Sequence, residues 1–265
     1  IVVSEHNTLS RATAETQNWR KRLIPWVIRP SYRRADAVVA VSGGVADDLA
    51  AVTGLPRDRM EVIFNPVVTP ELLELAAESV DHPWFRAGEP PVLLGAGRLI
   101  PQKDFATLIR AFARVRARRE ARLIILGEGE QHADLQALVK ELGLTRDVEL
   151  PGFVNNPYAW MRAADCFVLS SRWEGFGNVL VEAMACGTPV VSTRCPHGPD
   201  EILEEGTWGV LVPPADPEAL ADAIERSLDA PGPDPSERAR YFTPERAGEQ
   251  YLRVLDPRPR VAGQD

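Results

Sequence analysis

Two short stretches combine glycines with charged side chains in patterns that suit phosphate and sugar chemistry. The first is Gly95-Ala96-Gly97-Arg98-Leu99-Ile100-Pro101-Gln102-Lys103-Asp104, set between an apolar run and an amphipathic one. Glycines at a strand-to-helix turn let backbone approach an anion, and the helix that follows offers free N–H donors. Arg98 and Lys103 are placed to bind a diphosphate, one as a planar fork and the other as a point charge. Ile100 stands where the dinucleotide fingerprint G-x-G-x-x-G needs its third glycine, and no G-x-x-x-x-G-K-[ST] occurs. The second stretch is Glu174-Gly175-Phe176-Gly177-Asn178-Val179-Leu180-Val181-Glu182. A carboxylate accepts both hydroxyl hydrogens of a ribose or pyranose diol. Beside a phosphate it would repel, so the stretch suits a ligand carrying sugar and phosphate at different ends. The alternative for Glu182 is a solvated residue near the start of its helix.

The elements that must position these residues alternate along the chain. Strand-like runs fall at residues 1–4, 37–41, 60–64, 92–96, 122–126, 148–150, 166–169, 189–192 and 209–212, with amphipathic segments at 105–118, 133–142, 179–185 and 217–228. In the first of these segments Leu108, Ile109, Phe112 and Val115 recur at helical spacing, with arginines opposite. Apolar strands alternating with helices predict an α/β fold with parallel sheets covered on both faces. Both glycine stretches then fall at the carboxy-terminal sheet edge, where open α/β sheets bind ligands. Asp216-Pro217 and Thr243-Pro244 each read as an N-cap followed by proline at the first helical position. Asn65-Pro66 and Thr69-Pro70 interrupt the pattern and suggest a division: a first unit over 1–68, a linker over 69–90, a second unit over 91–242, a terminal helix over 243–256 returning to the first unit, and a tail over 257–265. The β-branched opening Ile1-Val2-Val3 reads as a strand cut from a larger domain, so the first unit is expected to be incomplete.

Composition excludes several classes. With 265 residues, 45% of them hydrophobic and 26% charged, the chain is neither disordered, collagen-like nor a disulfide scaffold. No run approaches the 18 apolar residues of a membrane span. A net charge of −8 and a pI near 5.2 argue against nucleic-acid binding, so any basic site must be local. Cys166, Cys186 and Cys195 form no CxxC pair, which fits buried thiols in a reducing compartment. Cys195 and His197 are too few ligands for a metal. No D-x-D pair occurs either, the carboxylate set that a metal-held diphosphate usually needs.

The E-x7-E pattern Glu174…Glu182, inside EGFGNVLVEAMACGTPVVST, resembles the signature of retaining glycosyltransferases of family 4. GRLIPQKD at 97–104 resembles that family's phosphate loop, and LIILGEGEQ at 123–131 and VELPGFVNN at 148–156 resemble its next two blocks. The resemblance implies a GT-B fold, two Rossmann-like doubly wound domains facing across a nucleotide-sugar cleft. It implies that Gly97, Arg98 and Lys103 hold the donor diphosphate, that Glu182 takes the ribose diol, and that Phe153 and Val154 contact the base. Glu174, with Gly175, Phe176, Gly177, Asn178 and Val179, would meet the donor sugar and phosphate, and His6 would face the sugar from the first unit. The implied chemistry is metal-independent and cofactor-free transfer of a hexosyl or N-acetylhexosaminyl group with retention.

The turn Cys195-Pro196-His197-Gly198-Pro199-Asp200-Glu201-Ile202 resembles bacterial members that build surface polysaccharides and lipid-linked oligosaccharides from UDP-sugars. A UDP-linked donor and a glycan or lipid-linked acceptor follow, in the cytoplasm or at the inner face of its membrane. Peripheral membrane association would lie in the missing part of the first domain. Trp19, Trp26 and Ile28 are candidates for an acceptor or interfacial surface, with core packing as their other reading. The alternatives are a nucleotide-binding fragment without catalysis, a sugar-nucleotide epimerase and a phosphorylase.

Overall fold

Strands that are apolar along their length must be covered on both faces, and this chain covers them in two parallel sheets. In the computed structural model, which describes residues 1–14 and 24–256, the first unit runs β1 (Val2–Glu5), α1 (Leu9–Ala14), α2 (Ile24–Arg34), β2 (Ala37–Ala40), α3 (Gly43–Thr53) and β3 (Met60–Val62). Its strands pair in parallel in the order β1-β2-β3. There follow α4 (Pro70–Ala76), β4 (Val92–Ala96), α5 (Phe105–Arg118), β5 (Arg122–Leu126), α6 (His132–Glu141), β6 (Val148–Gly152), α7 (Pro157–Ala163) and β7 (Cys166–Leu169). The chain continues through α8 (Asn178–Ala185), β8 (Val190–Thr193), α9 (Pro199–Ile202), β9 (Val210–Val212), α10 (Pro217–Asp229), α11 (Pro235–Ala239) and α12 (Pro244–Leu255).

The second sheet is parallel throughout, in the order β6-β5-β4-β7-β8-β9. Counted from β4 this is 3-2-1-4-5-6, the doubly wound order, and it reverses direction between β4 and β7. The loops that leave these two strands are the two glycine stretches. Topology alone therefore brings Arg98 and Glu174 to one crevice.

The helices form where pattern and caps agree. Phe105, Leu108, Ile109, Phe112 and Val115 of α5 are buried, while Arg118 reaches out to Asp222 and Glu225 of α10 at 2.8 and 2.7 Å. Gly95 in β4 leaves the space that Leu108 and Phe105 need against the sheet. Asp216 caps α10 through the Glu218 and Ala219 N–H groups, and Thr243 caps α12 through the Arg246 N–H. Each such cap stabilises its helix by about 1 kcal/mol. The 69–90 segment, expected as a linker, is structured. Thr69 accepts from the Leu72 N–H with Pro70 at the first turn, so the same capping signature starts α4. Trp84 and Phe85, further along, pack with His82 and Trp160.

Helix α12 crosses to the first sheet, where Ala247, Tyr251 and Val254 pack with Val2, Val39 and Ile63. Ile28 of α2 packs against the core rather than forming an interfacial surface. Trp19, the Trp26 side chain and the 257–265 tail lie outside the described residues. Cys166, Cys186 and Cys195 are free and buried, and burial pushes each thiol up to about 12. Among the described residues no helix is long and apolar enough to cross a membrane.

Candidate active site

The loop after β4 is locked by its neighbour after β5. A Cβ on Gly127 would run into the Gly97 carbonyl, and one on Gly129 into that of Leu99. Glycine at both positions lets the Leu99 N–H reach Glu128 O at 2.8 Å and the Gln131 N–H reach Leu99 O at 3.0 Å. Gly97 makes a further opening: its φ is +152°, and the stem of Lys103 fills the space where a side chain would stand. Arg98 projects from this loop, exposed, and its guanidinium makes no hydrogen bond or ion pair among the described residues.

Two expectations for this loop are corrected. The N-terminus of α5 is not a bare donor end, because Asp104 sets a negative charge beside it, although its side chain makes no cap bond and the Phe105 and Ala106 N–H groups find no acceptor among the described residues. That carboxylate is 5% exposed and accepts from Thr107 Oγ1 at 2.9 Å and Arg172 Nε at 3.1 Å. A buried anion at that end of the helix would repel a second. Nor do Lys103 and Arg98 stand as a pair of open cations. Lys103 Nζ donates to Glu174 Oε1 at 2.6 Å, and the pair is nearly sealed from solvent.

The loop after β7 is built differently. Glu174 is held at every polar atom of its backbone: its N–H donates to Pro196 O at 2.8 Å, and its carbonyl accepts from Thr8 Oγ1 at 2.7 Å and the His197 N–H at 3.0 Å. Ser171 Oγ donates to the same carboxylate oxygen as Lys103. Phe176, expected to offer its backbone amide, points its ring into the core, stacking on Phe64 at 5.4 Å and meeting Phe242 at 5.5 Å. It contributes only its backbone to the site, and its ring anchors the loop. Gly177 caps α8 with φ +103° and offers no side chain to the helix end. From Gly175 to Val179 five consecutive backbone N–H groups find no acceptor among the described residues. This is the anion-accepting end of an eight-residue helix left open. The Asn178 side chain is engaged with Asn65 Nδ2 at 2.8 Å, which ties the loop to the end of the first unit.

A cleft of about 390 Å³ opens beside these loops. Ala96, Leu126, Val154, Pro157, Met161 and Val179 give it an apolar lining, Phe153 is 70% exposed at its edge, and Gly97, Arg98, Gly127, Glu128 and Glu182 complete it. Desolvation pushes the Glu182 carboxyl up to about 7, against an opposing pull from the Lys103 charge. A half-buried carboxylate in an apolar cleft is costly by itself and is relieved by a ligand that donates hydroxyl hydrogens. Arg98, Glu182, Phe153 and Val154 are thus brought to one cleft, with the open N–H run adjoining it through Val179. His6 does not line it. The His6 side chain is exposed with Nε2 3.0 Å from Ser4 Oγ, while its carbonyl packs on Gly175 so closely that a Cβ there would run into it.

Several site residues escaped the sequence reading. Gly127 and Gly129 lie in a quoted block but carry no charge to mark them. Glu201 of α9 crosses to the first unit and accepts from the Gly43 and Gly44 N–H groups at 2.8 and 3.1 Å. Ser42 caps α3 and also donates to Gly175 O at 2.8 Å. His197 packs against Gly44 of α3. Among the described residues no three His, Cys, Asp or Glu side chains gather as a metal site would require.

Fold and site define a two-unit, Rossmann-like protein with a cleft at the reversal point of its second sheet. Residues 90–230 match the family described as glycosyl transferases group 1, and residues 1–70 match glycosyltransferase family 4. The chain belongs to the group 1 glycosyl transferases. It is 32% identical, over 86% of its length, to N-acetylgalactosamine-N,N'-diacetylbacillosaminyl-diphospho-undecaprenol 4-alpha-N-acetylgalactosaminyltransferase of Campylobacter jejuni, of which it covers 60%. It is 33% identical, over 90% of its length, to the lipopolysaccharide core biosynthesis glycosyltransferase LpsE of Rhizobium meliloti, covering 69% of it. Its fold matches Anabaena Alr3699/HepE, solved with UDP and glucose, with a TM-score of 0.76 at 23% identity, over 97% of this chain and 71% of that one. The fold is GT-B.

Proposed function

We propose that the protein transfers a hexosyl or N-acetylhexosaminyl group from a UDP-linked sugar to a glycan or lipid-linked acceptor, with retention and without a metal ion. The observation that carries this reading is the run of five N–H groups at the start of α8 which, with the guanidinium of Arg98 beside them, have no partner among the described residues. Fixed donors facing a departing diphosphate stabilise the charge that develops on it, each by about 3 kcal/mol of barrier. Glu182 holds the ribose diol, Phe153 and Val154 border the base, and Lys103 with Glu174 stands between the sugar and the phosphate.

In the step itself the acceptor oxygen forms a bond to the anomeric carbon as the bond from that carbon to the phosphate oxygen breaks. The acceptor proton passes to the departing phosphate on the same face. Glu174 is not assigned as a covalent nucleophile, since Lys103 and Ser171 both hold its Oε1. UDP is favoured by the Anabaena neighbour's ligand, and a lipid-linked or lipopolysaccharide acceptor by the names of the two relatives.

Thermal unfolding with UDP, GDP and ADP in EDTA, beside Arg98→Ala, tests the donor side. A ligand at 100 times its Kd adds about 2.7 kcal/mol to the folded state, which moves the midpoint by several degrees. A shift with UDP that survives EDTA and disappears in the variant is expected. A shift that appears only with added metal, or only with another nucleotide, would refute the corresponding part of the proposal.

A further inference from the structure

The open N–H run belongs to the second unit, yet hydroxyls of the first unit help to set its direction. In a planar trans peptide, the carbonyl of one residue and the N–H of the next point opposite ways. The Glu174 carbonyl accepts from Thr8 Oγ1 at 2.7 Å and, more weakly, from the His197 N–H of the second unit at 3.0 Å, so the Gly175 N–H points away from both. The Gly175 carbonyl is drawn towards Ser42 Oγ at 2.8 Å, so the Phe176 N–H points away from Ser42. Those two N–H groups are the first two of the five that lack an acceptor. Thr8 and Ser42 are both buried, at 3% and 0% exposed, so neither hydroxyl exchanges this bond readily for water.

The same contact is reinforced on either side. The His6 carbonyl packs on Gly175 where no side chain would fit. Glu201 reaches back to the Gly43 and Gly44 N–H groups, which fixes α3, and with it Ser42, against the second unit. Arg238 in turn holds α9 in place by donating to the carbonyls of Glu201 and Ile202 at 2.9 and 3.0 Å.

From these contacts we infer that Thr8 and Ser42 are positioning residues for the donor diphosphate: their hydroxyls aim the Gly175 and Phe176 N–H groups, so phosphate affinity depends on the docking of the first unit. This rests on the diphosphate reading of the loop given above. It makes the first unit part of the donor site without touching the donor. The aromatic, apolar and ribose-binding parts of the cleft lie on the second unit and are independent of the two hydroxyls.

The test is titration of the full chain with UDP and with uridine, which shares the base and ribose but has no phosphate. Thr8→Val keeps the shape and removes the O–H donor. Ser42→Ala also removes the cap of α3, so Ser42→Thr and Thr8→Ser, which retain a hydroxyl, serve as rescue variants. The Thr8→Val/Ser42→Ala pair is expected to lose about tenfold in UDP affinity, a fraction of what one hydrogen bond to a charged group contributes. Uridine affinity is expected to stay within about twofold, and the rescue variants to restore UDP binding. Equal losses for UDP and uridine would mean a merely structural contact and overturn the inference, as would unchanged UDP binding in both single variants. If the unaltered chain binds UDP and uridine alike, the diphosphate reading itself fails, and that failure is visible before any variant is made.

Discussion

Two strand-to-helix loops meet at the reversal point of the second sheet, and they treat their helices in opposite ways. After β4 the chain turns through Gly97 and enters α5 behind Asp104, whose buried carboxylate sets a negative charge beside the helix start without bonding to it. After β7 the chain turns through Gly177 and enters α8 with nothing at its cap but glycine and five N–H groups without acceptors. The two loops are laced together: the Arg172 N–H donates to Gln102 O at 2.8 Å, and Ser170 Oγ to Lys103 O at 2.8 Å. Position in the fold is therefore shared, and the residue at the helix start sets its charge: Asp104 would repel an anion that the glycine cap of α8 would not. The first loop presents a cation, Arg98, on the cleft that Val179 of α8 borders.

The largest test of that division is Arg98→Ala. Arg98 has no partner within the described protein, so its removal should leave the melting temperature almost unchanged. UDP binding and sugar transfer should fall by about a hundredfold, in line with loss of one fixed donor to developing charge. A drop in stability with unchanged UDP affinity would reverse the roles drawn above.

Glu182 tests the cleft that α8 completes. Its carboxyl is pushed up to about 7 by burial, whereas in the unfolded chain it titrates near 4.5. Between those values the folded chain holds a proton that the unfolded chain has released, so stability falls as pH rises through that window. Above pH 7 the full cost stands, on the order of 2 kcal/mol once its partial exposure is allowed for. Glu182→Gln should accordingly be the more stable protein at pH 8 and match the unaltered chain near pH 4. Its UDP affinity should be lower and lose the rise through pH 7 expected of a carboxylate that accepts ribose hydroxyls. Denaturant midpoints at pH 4 and 8 measure the first effect, and titrations from pH 6 to 8 the second.

How far these roles were legible in the sequence follows from the range of the contacts. The strand order, the loops and the separation of Glu174 and Glu182 depend on local pattern: apolar periodicity, glycine and a fixed step along one helix. These could be read. Lys103 meeting Glu174, Phe176 turning into Phe64 and Phe242, and Ser42 reaching Gly175 are contacts between residues distant in the chain, and nothing in the type of either partner announces the other. The Asp104 correction is of a different kind. The residue is in plain view, but a carboxylate at a helix start can cap the backbone or stand aside in solvent, and this one does neither: it is buried, held by Thr107 and Arg172, without a bond to the helix N–H groups. Helix α4 was hidden by the proline that starts it, since Pro70 was taken as a break although it follows a capping threonine as Pro244 does.

Removing the anion from the closed end should matter less than either test above. Asp104→Ala loses the bonds from Thr107 and Arg172 and places alanine at a φ of +48°, which together should cost about 1–2 kcal/mol. Its UDP affinity should stay within about twofold, because Asp104 does not line the cleft. Chemical denaturation beside a UDP titration separates the two effects. A large loss of UDP binding without loss of stability would show that α5 takes part in holding the phosphate.

The smallest effect carries the most direct comparison, because it makes the open end resemble the closed one. Asn178 is the first residue of α8, is exposed, and uses its Oδ1 to accept from Asn65. Asn178→Asp keeps that acceptor and adds one negative charge at the start of the helix. If the N–H run is an unfilled anion site, the charge should interact favourably with it and raise stability by about 0.5 kcal/mol. The same charge should repel a diphosphate and weaken UDP binding about fivefold, with uridine unaffected and the difference shrinking at high salt. Stability and affinity thus move in opposite directions from one substitution, which neither a general loosening of the loop nor a lost contact with Asn65 would produce. Should the variant gain stability and bind UDP as before, the phosphate is held elsewhere and the contrast between the two loops has no bearing on the ligand.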